Sequence, residues 1–108
     1  PHSPPPGGTA LGIVAGHFGV DPADQAAFVA GREEAMRRTR AEPGCREVGV
    51  AADPVDPSRV VLYERWADQA ALDVHLALLA SGGSRATGPA PLGVAGRVYD
   101  VAGERTLG

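Results

Sequence analysis

Three side chains within Val60–Leu79 have the types and spacing to handle a proton in a sheltered place: Glu64, Trp66 and His75. Residues two apart on an extended chain point to one face, so Glu64 and Trp66 share a side with Val60 and Leu62. A carboxylate on an apolar strand face loses hydration, the condition under which carboxylates serve as bases near neutral pH. The other use of Glu64 is a structural ion pair with Arg32 or another arginine. Trp66 either walls a pocket or plugs the core between sheet and helix. His75 stands one helical turn from Leu72 and from Leu79. There it either accepts a proton or packs with one ring nitrogen bonded to backbone or water.

Four further residues belong to the same candidate site. Arg32 falls inside the apolar arc of the first helix, where a guanidinium either binds an anionic oxygen of a substrate or snorkels to the surface. His17, near the end of the first strand, is a second base whose facing depends on register. Phe28 and Leu72 supply apolar wall from the arcs of the two helices. Cys45 has no neighbour in the sequence to activate it and reads as a small buried residue.

Six elements must position these groups. Leu11–Val20 alternates as a strand, with Leu11, Ile13, Ala15 and His17 on one side and Val14, Phe18 and Val20 on the other. Asp21 caps and Pro22 opens a helix that runs to about Arg40, with Phe28, Gly31, Ala35, Met36 and Thr39 on its apolar arc. Pro43-Gly44 turns the chain into a second strand, Cys45–Ala52, and Asp53–Ser58 turns it into a third, Arg59–Trp66. Asp68 caps a second helix whose arc holds Ala71, Leu72, His75, Leu76 and Leu79. Ser81–Pro91 is a flexible loop by composition, and Gly93–Val101 is the last strand.

The order βαββαβ predicts an α+β, ferredoxin-like fold, a four-stranded antiparallel sheet with two helices on one face. One domain is expected over residues 9–102, with tails at 1–8 and 103–108. Strands one, three and four are apolar on both sides, so the face without helices needs a cover. A second copy, sheet against sheet, supplies it, and a homodimer is predicted.

Composition narrows the partners. Thirteen acidic and ten basic residues leave a net charge of −3 with no basic run, which points away from nucleic acid and from an anionic membrane. A single cysteine excludes internal disulfides and a cysteine-based zinc cluster. No apolar run reaches membrane-spanning length and no charged-then-apolar leader opens the chain, so a cytoplasmic protein is expected. The sequence carries no nucleophile elbow, phosphate-binding loop or paired-histidine metal spacing.

Glu42-Pro43-Gly44-Cys45, then Asp53-Pro54, then Val61 through Asp68, then Ala71-Leu72 and His75-Leu76 form a series that resembles the antibiotic biosynthesis monooxygenase family. The resemblance covers about Leu11 to Val101. It implies a dimeric ferredoxin-like α+β barrel with a pocket between sheet and helices in each subunit. It also implies oxidation of a small phenol or quinol by O₂ with no metal, flavin or other cofactor. Trp66 matches the tryptophan that lines the pocket in relatives. Such chemistry needs a base, an apolar aromatic-walled pocket and shelter from water. Glu64, Trp66 and His75 would then line one cavity of a few hundred Å³. The family also includes haem-degrading enzymes and an isomerase, which keeps two alternatives open. One is an isomerase or tautomerase using the same residues; the other is a non-catalytic dimeric binding or assembly module. After Leu76 the chain departs from the family pattern, exchanging a longer helix for the glycine-rich Ser81–Pro91.

Overall fold

A computed structural model describes residues 10–83 and 86–108; the tail expected at 1–8 lies outside them, as do two residues of the expected loop. The strands are β1 (Leu11–Gly19), β2 (Cys45–Ala52), β3 (Arg59–Trp66) and β4 (Gly93–Val101). They form one antiparallel sheet in the order β2-β3-β1-β4. The helices are α1 (Gln25–Ala30), α2 (Glu33–Arg40) and α3 (Gln69–Ala80). This is the α+β ferredoxin-like fold expected of the element order.

The first helical segment departs from the continuous helix expected over Asp21 to Arg40. Asp21 does cap its start, accepting from the backbone N–H of Ala23 at 2.9 Å across a 3₁₀ turn at Pro22–Asp24. The segment then breaks between α1 and α2, at Gly31 and Arg32. The carbonyl of Gly31 accepts instead from the backbone N–H of Thr87 at 2.8 Å. A Cβ at Gly31 would collide with the carbonyl oxygen of Thr87, so only glycine admits that strand of chain so close. The loop expected to be flexible is thus tied down at Thr87, and just past its end Leu92 donates to the carbonyl of Gly19 at 2.8 Å.

Residues directly opposite one another in neighbouring strands share a face of the sheet. Val14 of β1 lies opposite Glu64 of β3 and Val98 of β4, and Phe18 lies opposite Val60 and Val94. The helices cover this face over β2, β3 and β1. At one end Val20, Phe28 and Val60 form a buried cluster, with Phe18, Val29 and Val50 packed against it. At the other end Trp66 and Leu72 are buried.

Asp68 starts α3 as expected, accepting from the backbone N–H of Ala71 at 2.8 Å. Only Leu72 and His75 of its arc are buried. Leu76 and Leu79, expected in the core, are 45% and 44% exposed. The reason is coverage: Val94 and Val98 of β4, on the helix side, are themselves exposed, so among the described residues nothing closes over the far half of α3. The face without helices carries Val61, Tyr63 and Tyr99, all exposed. At the edge of β2 the Arg40 guanidinium donates to the carbonyl of Val48 through Nε at 3.2 Å and Nη2 at 3.0 Å. No helix among the described residues is long and apolar enough to cross a membrane.

Candidate functional site

The strand alternation of β3 turns Glu64 and Trp66 inward, and the end of β3 is then fixed in place. The N–H of Ala67 donates to the carbonyl of Gly44 at 2.8 Å, and Gly44 sits at φ +83, a conformation suited to glycine. Ala71 lies against Gly44, so a side chain there would press on its Cβ. This contact holds the α2–β2 turn beside α3. With Asp68 fixing where α3 begins, His75 comes to lie over Trp66.

The three sequence candidates do converge. Trp66 is 0%, His75 4% and Glu64 8% exposed. Trp66 Nε1 donates to Glu64 Oε1 at 2.8 Å. That same oxygen lies 3.9 Å from His75 Nε2, and the Trp66 and His75 rings sit 4.8 Å apart at 31°. On its other side His75 Nδ1 is 2.9 Å from Glu42 Oε2. An imidazole that gains a proton here therefore faces carboxylate oxygens at both nitrogens, with Trp66 as its aromatic floor. Leu72, one turn before His75, is buried within the same helix face.

Glu42 is the residue that reasoning from spacing does not reach. It belongs to the Glu-Pro-Gly-Cys phrase of the family resemblance, yet nothing local to a turn tells of a partner 33 positions away. Its Oε1 is buried with no hydrogen-bond partner among the described residues. Cys45 lies nearby, and burial, followed by the negative charge of Glu42 and Glu64, pushes its thiol up, away from thiolate chemistry.

The other candidates lie elsewhere. Phe28 belongs to the Val20–Val60 cluster, about 20 Å along β3 from Trp66 by strand rise. The Arg32 guanidinium rests 3.6 Å from the centre of the Phe28 ring and donates to the Thr87 carbonyl at 3.1 Å. Burial lowers its pKa. The alternative use of Glu64, an ion pair with Arg32, is not formed; the helix break turns Arg32 toward Thr87, and Glu64 bonds to Trp66 instead. His17 lies opposite Val61 and Ala95, which puts it on the face away from Glu64. Register thus removes it from the site.

Two cavities lie beside β2. One of about 340 Å³ is lined by Arg40, Glu47, Val61 and Tyr63, among others. One of about 510 Å³ lies against Arg32, Met36, Arg37 and Val50. Neither is lined by Glu64, Trp66 or His75, which close on one another. Among the described residues no group of three His, Cys, Asp or Glu side chains could hold a metal ion.

Residues 12–80 match the model of a family described as antibiotic biosynthesis monooxygenase. Among solved structures, Rv0793 from Mycobacterium tuberculosis is 29% identical with a TM-score of 0.64, over 90% of this chain and 100% of that one. A putative antibiotic biosynthesis monooxygenase from Deinococcus radiodurans shares the fold at a TM-score of 0.67 and 19% identity, over 89% of this chain and 97% of that one. An uncharacterized Synechocystis protein, sll1783, is 32% identical over 63 residues, 58% of this chain and 43% of the relative. The chain thus matches less than half the length of that curated relative.

Proposed function

The chain belongs to the antibiotic biosynthesis monooxygenase family, and from that membership we propose that it oxidises a small phenol or quinol with O₂ and no bound cofactor. The observation that carries this reading is the buried imidazole of His75, held between Glu42 and Glu64 and stacked on Trp66. His75 Nε2 takes the phenolic proton, and Glu64 faces the imidazolium that results. The phenolate is electron-rich enough to reduce O₂. One oxygen atom then enters the ring, the other leaves as water, and all the electrons come from the quinol, which ends as a hydroxyquinone. Trp66 and Leu72 form the apolar wall and keep water out. A second copy covers the exposed Val61, Tyr63 and Tyr99, giving a homodimer joined through the sheet face.

O₂ consumption with a panel of hydroquinones tests the reading. Uptake by the native protein, abolished in His75→Ala and Glu64→Gln, is the expected result. Conversion of substrate under argon would replace it with an isomerase using the same residues. A second reading is favoured by the complete packing of Trp66 and by the position of both cavities away from it. In that reading the polar cluster is structural and the protein is a non-catalytic binding or assembly module. A melting temperature that rises with ligand, with no turnover of any panel member, would establish it.

A further inference from the structure

Glu42 lies in the turn between α2 and β2, with its backbone fixed on both sides. Its N–H donates to the carbonyl of Thr39 at 3.0 Å, and its own carbonyl accepts from the N–H of Cys45 at 3.1 Å. The side chain reaches His75 from this anchored position. A carboxylate only accepts hydrogen bonds, so with Glu42 in that form the 2.9 Å contact is made by a hydrogen on Nδ1. At the far side of the ring, 3.9 Å separates Nε2 from Glu64 Oε1, too long for a hydrogen bond, and that oxygen already accepts from Trp66. Among the described residues the remaining oxygen of Glu42 has no donor, so no arginine competes with His75 for this carboxyl group. Its orienting effect therefore falls on His75.

We propose that Glu42 is a positioning residue that holds His75 as the Nδ1–H tautomer and leaves the Nε2 lone pair as the proton acceptor. The role of that lone pair in turnover rests on the oxygenase reading above; the tautomer does not. Glu42 touches no substrate. It acts by choosing which nitrogen is basic and by preventing the ring from flipping, as carboxylates behind catalytic imidazoles do in general.

The test is ¹⁵N NMR of the histidine rings in uniformly labelled protein, with the His75 signals identified by their loss in His75→Gln. The native protein is expected to show a protonated Nδ1 and an unprotonated Nε2 at a pH where the ring is neutral. Glu42→Leu should lose that pattern, whereas Glu42→Gln, whose amide oxygen can still accept from Nδ1, should keep it. In turnover, Glu42→Leu should lower kcat by about 100-fold with little change in KM, the scale of an impaired general base. A native spectrum with the hydrogen on Nε2 overturns the proposal, even if Glu42→Leu fails to fold. So does a folded Glu42→Leu that retains the native pattern. If the tautomer results hold while no phenol or quinol consumes O₂, the oxygenase reading fails and the role of Glu42 stands. If turnover is found but the tautomer is wrong, the reverse follows.

Discussion

The inner face of β3 is buried at both ends, by apolar contact around Val60 and by a polar network around Trp66. Val60, Phe28 and Trp66 are all 0% exposed, so dryness does not distinguish the two regions. At the Val60 end, Phe18 and Phe28 meet with ring centres 5.1 Å apart, and removal of apolar area from water accounts for the packing. Around Trp66 the same sheet face holds Glu64, and α3 lays His75 over the indole with Glu42 bonded behind the imidazole. Dehydrating such groups costs several kcal/mol per ion unless each finds a partner. This end therefore holds together only as a set. A core of hydrocarbon would have been simpler to build, which is why the polar end is the part of the fold to question for chemistry.

Three perturbations break or sharpen that contrast. The largest effect belongs to Phe28→Ala, expected to cost about 3–5 kcal/mol in urea unfolding because it leaves a cavity in the apolar end. The His75 tautomer pattern should survive it. Trp66→Phe keeps most of the ring volume but removes the hydrogen donated to Glu64. It should cost about 1–3 kcal/mol, the penalty of a buried acceptor left without its donor. Unlike Phe28→Ala, it should also alter the His75 ring signals. The smallest effect concerns the β2–β3 turn beside Val60. Backbone N–H groups of Asp56 and then Val55 hold the Asp53 carboxyl below the usual carboxylate range. A carboxyl depressed in the folded state contributes stability above its unfolded pKa, ordinarily about 4 for aspartate. That contribution is lost as pH falls through the lower folded value. Thermal melts from neutral to strongly acidic pH should thus show a smaller acid-dependent loss in Asp53→Asn than in the native chain.

Much of this arrangement is legible in the sequence because it is periodic or local. The alternation Val60, Leu62, Glu64, Trp66 places two site residues on one face, and Asp68 sets where α3 starts. What escapes is set by distant chain. Gly31 and Arg32 read as helix interior, yet the arrival of Thr87 opens the helix there and carries Arg32 away from Glu64. Leu76 and Leu79 continue the arc of Leu72, but periodicity tells which side of a helix is apolar, not whether anything lies against it. His17 alternates as well with one face as with the other until its pairing with Val61 is known. The pairing of Glu42 escapes for the same reason: a turn residue shows no periodicity, and its partner lies on another element.

The clamp of Arg40 on the edge strand β2 bears on how copies of this chain meet. An outer carbonyl of a sheet is a template for another strand, and unguarded edges invite open-ended stacking. With two guanidinium nitrogens already on Val48, a newcomer at β2 must first displace an arginine. At the opposite border β4 is exposed along nearly its whole length. Ribbon growth is thereby hindered on one side only, a bias toward finite assemblies and against fibres.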